Sequence, residues 1–163
     1  MNANNARAVI LMVDDDPDEY YLAKEALEES GVQAILLLVA NKEELFDYLH
    51  NRGQFVDIRR YPRPGVILLD VNTLMTSGQE VLASLKSDPE IKDIPVVIYA
   101  APKDPEEAMA WHHLGADSHI AKPASFQTMV ENMKAFEKYW VAPSLLPFPE
   151  STPAPMENPG MAS

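Results

Sequence analysis

Three places in the chain gather residues able to do chemistry. Asp14-Asp15-Asp16 follows the apolar run Ala8–Val13, Asp70 closes Val66-Ile-Leu-Leu, and Lys122-Pro123 follows Ser118–Ala121. Carboxylates clustered without a counter-charge repel one another unless a cation lies between them. With no cysteine in the chain and no converging histidines, an all-oxygen donor set favours a hard ion, and Mg²⁺ is the expected one. A lysine facing the same place pairs with a carboxylate or with an added phosphoryl group. Taken singly, each feature has a plainer explanation. Asp14–Asp16 would serve as helix caps and dipole complements, Asp16 above all, and Lys122 as a surface lysine. Asp70 resists that treatment, because a carboxylate beside four buried apolar residues needs a partner.

These residues must be carried by strands. Five apolar runs, Ala8–Val13, Ala34–Val39, Val66–Leu69, Val96–Ala100 and Ser118–Ala121, are short and do not alternate with polar residues, which suits strands buried on both faces. Helical segments separate them. Asp16-Pro17 reads as a cap with proline at the first helical position and Glu19 three residues beyond the cap, and Asn41 with Glu44 repeats the pattern. Gln79–Lys86, Pro105–Leu114 and Ser125–Trp140 complete five helices, with Gly31, Gly53 and Gly115 as stop signals. Alternation of this kind requires a parallel sheet covered on both sides, with its crevice outside the carboxyl ends of the strands. Asp14, Asp70 and Lys122 all fall at such ends.

The 163 residues allow one domain with a substantial core, and a net charge of −12 argues against binding nucleic acid through bulk charge. No apolar run approaches the ~20 residues that span a bilayer, and no signal peptide is visible, so a cytoplasmic protein without membrane contact is expected. Six of the 14 prolines lie beyond residue 142. The chain is therefore divided into a folded domain, 6–141, and a Pro-rich, disordered tail, 142–163. Residues 52–64 hold four of the five arginines and read as a solvated loop or, more sharply, as a partner-recognition loop.

The sequence resembles the receiver domains of bacterial two-component response regulators over roughly residues 8–138. The likeness rests on Ile10-Leu-Met-Val-Asp-Asp-Asp-Pro, Val66-Ile-Leu-Leu-Asp-Val-Asn with Gly78 eight residues after Asp70, Ile94-Pro-Val-Val, and Leu114-Gly-Ala-Asp-Ser-His-Ile-Ala-Lys-Pro. It implies a flavodoxin-like α/β fold with five strands in the order 2-1-3-4-5. By resemblance, Asp70 is the phosphoacceptor, Asp15 the direct metal ligand, Asp14 the second acid acting through water, and Asn72 the donor of a backbone carbonyl to Mg²⁺. Lys122 matches the lysine that contacts the phosphoryl group, and Pro123 a cis-peptide site. Details around Lys86-Ser-Asp-Pro, the long loop and the aromatic end of the last helix are similar to the phytochrome-associated subgroup.

Three positions depart from the family pattern. Ala100 stands where a Thr or Ser usually closes the fourth strand, and His119 where an aromatic usually stands. Leu74 replaces a common proline. Alanine removes one charge-assisted hydrogen bond, about 1.5–3 kcal/mol, from a phosphorylated state. The expected protein is a stand-alone receiver, not an enzyme in the usual sense, partnered by a sensor histidine kinase (a phytochrome among the candidates) or a phosphotransfer protein. Its readout is altered at Ala100 and His119. A homodimer through helix 4, strand 5 and helix 5 is expected from the surplus aromatics Trp111, Tyr139 and Trp140. The alternatives are a phosphorylation-independent adaptor and, less favoured by Asn72 and the short chain, an Asp-nucleophile phosphatase.

Overall fold

The computed structural model describes residues 8–71, 78–136, 138 and 140. Strands β1 (Ala8–Val13), β2 (Ala34–Val39), β3 (Val66–Leu69), β4 (Val96–Tyr99) and β5 (Ser118–Ile120) form one parallel sheet in the order β2-β1-β3-β4-β5. Helices α1 (Pro17–Ser30), α2 (Lys42–Leu49), α3 (Gly78–Ser87), α4 (Pro105–His113) and α5 (Phe126–Phe136) cover it on both faces. The expected fold class and strand order are thus found.

Strand side chains alternate between two core layers. Leu11, Val13, Ile67, Leu69, Val96 and Ile98 pack under α2, α3 and α4 with Leu45, Leu82 and Leu85. Ile10, Met12, Val66, Leu68, Val97 and Tyr99 pack under α1 and α5 with Ala26, Met129 and Met133. Double-sided burial explains why these runs carry no polar alternation.

The caps form as the residue types require. Asp16 accepts from the Asp18 N–H at 3.0 Å, with Pro17 opening the helix. Asn41 accepts from the Glu44 N–H at 2.8 Å, and the Glu44 carboxylate reaches back to the Ala40 N–H at 2.8 Å. Gly31 ends α1 with φ of 80°. Asp104, unrecognised as a cap from sequence, accepts from the Glu107 N–H at 2.8 Å and starts α4 ahead of Pro105.

Several expectations need correction. Gly53 does not stop α2, which ends at Leu49; Asn51 takes the left-handed turn at φ 52°, and Gly53 opens a short 3₁₀ turn, Gly53–Phe55. Asparagine tolerates that conformation better than most residues. β4 ends one residue before Ala100 and β5 one before Ala121; α5 is α-helical to Phe136, and Lys138 and Trp140 beyond it are π-helical. The Lys122–Pro123 peptide is trans, the isomer X–Pro bonds favour by ~0.5–1 kcal/mol. Trp111 is 2% exposed and sits in the layer under α2–α4, so it belongs to the monomer core and is no part of a dimer face. Trp140 packs on the opposite layer, and Tyr139 and the segment 142–163 lie outside the described residues.

The 52–64 segment is built rather than loose. Tyr48, Phe55 and Tyr61 pack their rings together with centroids 5.0–5.8 Å apart. The Tyr48 hydroxyl donates to the Pro62 carbonyl at 2.8 Å, and the Asn51 amide bridges the Phe55 and Tyr61 carbonyls. Val56, Ile58, Arg59 and Arg60 face outward from this anchor.

Candidate functional site

The crevice is assembled by the ladder itself. The Asp14 N–H donates to the Val39 carbonyl at 3.0 Å and the Asp70 N–H to the Val13 carbonyl at 3.1 Å, extending the β1–β2 and β1–β3 pairings by one residue each. Neighbouring strands thereby deliver two carboxylates side by side at their carboxyl ends. Both are fully buried, whereas Asp15 is exposed at the rim. One oxygen of Asp14 accepts from the Asp16 N–H at 2.9 Å, which fixes the carboxylate and ties it to the cap of α1.

Burial, and secondarily the adjoining Asp70, push the Asp14 pKa up to about 7 from 3.8. Lys122 forms an ion pair with Asp70 and lies 3.7 Å from Glu19. Burial alone would pull the Lys122 pKa down, but its hydrogen bond to Asp70 and the charges of Asp70, Glu19 and Asp14 together carry it upward, so the ammonium is retained. Its Nζ also lies 5.6 Å from the centre of the Tyr99 ring. Asp14, Asp70 and Lys122, chosen from sequence, therefore converge. Asn72 and Leu74 lie outside the described residues.

The donor set fits a hard divalent cation. Two buried carboxylates with a third, exposed one following in sequence are all oxygen, and the two buried acids share a single neighbouring lysine.

Glu19 and Tyr99 are residues that sequence reasoning missed. Glu19 reads as the third residue of a capping pattern, and only the placement of α1 over the strand ends brings it to Lys122. Tyr99 reads as strand apolar content. Ala100 is buried beside β4 and offers no hydroxyl. His119 is half-buried on β5, edge-on to Trp111 at 5.7 Å, and burial followed by the charge of His112 lowers its pKa, so it stays neutral near pH 7. A second cluster lies elsewhere. His50 contacts Asp88 at 2.8 Å through Nε2 and Glu90 at 3.1 Å through Nδ1, fastening the end of α2 to the α3–β4 connection.

Comparison with known proteins identifies the family. The response regulator Rcp1 of Synechocystis sp. is 28% identical over 144 residues, covering 88% of this chain and 96% of Rcp1. The crystal structure of the phosphorylated cyanobacterial phytochrome response regulator RcpA has a TM-score of 0.72 at 32% identity, covering 83% of this chain and 94% of RcpA. That of the Mn²⁺-bound form of Rcp1 has a TM-score of 0.69 at 28% identity, covering 82% and 94%. Residues 10–134 match the response regulator receiver domain. The chain belongs to the response regulator receiver domain family, the signalling modules of two-component systems.

Proposed function

We propose that this chain accepts a phosphoryl group on Asp70 from a phosphohistidine of a sensor histidine kinase and signals through protein–protein contacts. The observation that carries this is the pairing of a fully buried Asp70 with Lys122 beside the buried Asp14. An Asp70 carboxylate oxygen attacks phosphorus in line; the new P–O bond forms as the P–N bond breaks, and the electron pair leaves on the donor imidazole. Such transfer depends on positioning and charge neutralisation more than on acid–base chemistry. Lys122 leaves its ion pair with Asp70 to meet the equatorial oxygens, while Glu19 keeps the ammonium at the crevice. Asp14, Asp15, Asp70 and the backbone of Asn72 would hold Mg²⁺, which when bound supplies further charge neutralisation at the phosphoryl oxygens.

The kinase is a phytochrome in this proposal, by likeness to Rcp1 and RcpA. No helix among the described residues is long and apolar enough to cross a membrane, and the site of action is taken as cytoplasmic. The test is binding of beryllofluoride with Mg²⁺ at Asp70, followed by the appearance of one phosphoryl group by mass spectrometry after treatment with acetyl phosphate. Asp70→Asn abolishes both. No binding at millimolar Mg²⁺ refutes the proposal.

Ala100 favours a second reading, that of an adaptor acting without phosphorylation, because position 100 offers no hydroxyl to hold the phosphorylated state. The two readings separate on target binding: only a phosphoreceiver changes its affinity when beryllofluoride is added.

A further inference from the structure

Asp70 follows β3 and Lys122 follows β5, and β4 lies between them in the sheet. The Lys122 side chain therefore reaches its partner only by crossing β4. The β4 residue on that path is Tyr99. It belongs to the same sheet face as Met12 and Leu68, the face on which Asp14 and Asp70 lie two residues further along their chains. Its ring is 3% exposed and its centre lies 5.6 Å from the Lys122 Nζ. The Tyr99 hydroxyl makes no hydrogen bond among the described residues, and the contact with Lys122 is made by the ring.

We propose that Tyr99 is a positioning residue for Lys122, its ring face holding the ammonium across β4 within reach of Asp70. The negative face of an aromatic ring attracts a cation electrostatically, and it does so in a direction normal to the ring, which an aliphatic side chain of similar bulk does not. Ala100, the next residue, turns to the opposite layer and has no polar group to share the task. The proposal rests on the phosphoacceptor reading for its consequence in phosphoryl transfer, but the placement itself precedes any phosphorylation.

Two measurements on the full chain test it. The first is the NMR shift of the Lys122 methylene protons in the unphosphorylated protein. They are moved upfield by the ring current in the wild type and in Tyr99→Phe, and return to ordinary lysine values in Tyr99→Leu. Ordinary values in the wild type overturn the placement, whatever the outcome of phosphorylation. The second is the rate of phosphorylation by acetyl phosphate. Tyr99→Phe keeps the rate, and Tyr99→Leu lowers it about three- to thirtyfold, the range of cation–ring attractions. Should Tyr99→Leu fail to fold, the series of Tyr99→Phe with one, two and three ring fluorines decides, since it keeps shape while draining the ring face. A graded fall in rate along the series supports the proposal; a flat series, or an unimpaired Tyr99→Leu, overturns it. If the wild type takes no phosphoryl group at all, the proposed function fails, and the NMR shifts still decide on Tyr99.

Discussion

Replacing Asp14 by Asn should stabilise the protein at alkaline pH when divalent metal is removed. The cause is the strand ladder, which buries Asp14 next to Asp70 and raises its pKa from 3.8 to about 7, through desolvation first and Asp70 second. A carboxyl that holds its proton more tightly folded than unfolded binds more protons in the native state between those two values. Stability therefore falls as pH rises from about 4 to about 7 and is level above that. Three pH units at about 1.4 kcal/mol each put the loss on the order of 4 kcal/mol. Asparagine keeps the oxygen that accepts from the Asp16 N–H at 2.9 Å and carries no charge. Asp14→Asn should thus gain on the order of 2–4 kcal/mol at pH 8 in chelator and nothing near pH 4. The assay is urea unfolding at both pH values, with EDTA and then with excess Mg²⁺. Added Mg²⁺ raises the wild-type midpoint and narrows or reverses the difference, because the native state alone presents the donor set. A variant no more stable than wild type at pH 8 in EDTA refutes the argument.

Other outcomes follow from particular contacts. A β-carbon at Gly78 would lie 2.4 Å from the Val71 Cβ, so Gly78→Ala should cost about 1–3 kcal/mol in thermal unfolding and weaken beryllofluoride binding through the residue next to Asp70. Trp111→Ala should lose about 3–5 kcal/mol of stability independent of protein concentration, as for a monomer-core residue. Tyr48→Phe removes a buried hydroxyl from the Pro62 carbonyl and should cost about 1 kcal/mol, with faster amide exchange around residues 52–64. His119 should titrate by NMR below the ordinary histidine value, and Trp111→Ala, by opening its surroundings to water, should bring it back upward.

What was legible in the sequence was whatever local chemistry dictates. Runs buried on both faces announced the strands, Asp16-Pro17 and Asn41 announced helix starts, and the strand-end rule brought Asp14, Asp70 and Lys122 to one crevice. Less legible was anything set by packing between elements. Trp111 lies on a helix of nine residues, too short for periodicity to separate core from surface. Glu19 shows its second role only when α1 lies over the strand ends. Tyr99 reads as ordinary strand content until the order β3-β4-β5 places it between Asp70 and Lys122. Gly53 was outcompeted as a stop by Asn51, whose side-chain amide holds two carbonyls of the following turn.

The arginine-bearing segment has a consequence beyond its own packing. It feeds the amino end of β3, where the Gly65 N–H meets the Val9 carbonyl, so Arg52, Arg59, Arg60 and Arg63 lie toward the edge of the sheet opposite Asp14, Asp15, Asp70 and Glu19. The arginines there are matched by acids, Arg52 by Asp47 and Arg59 by Asp57, whereas the four acids at the crevice face one paired base, Lys122. An approaching macromolecule with a cationic face is turned toward the crevice before contact, while an anionic small donor is held off until salt screens the field. Ionic strength should therefore act in opposite directions on the two encounters, slowing the first and quickening the second, so that partner choice begins in the orientation of the collision.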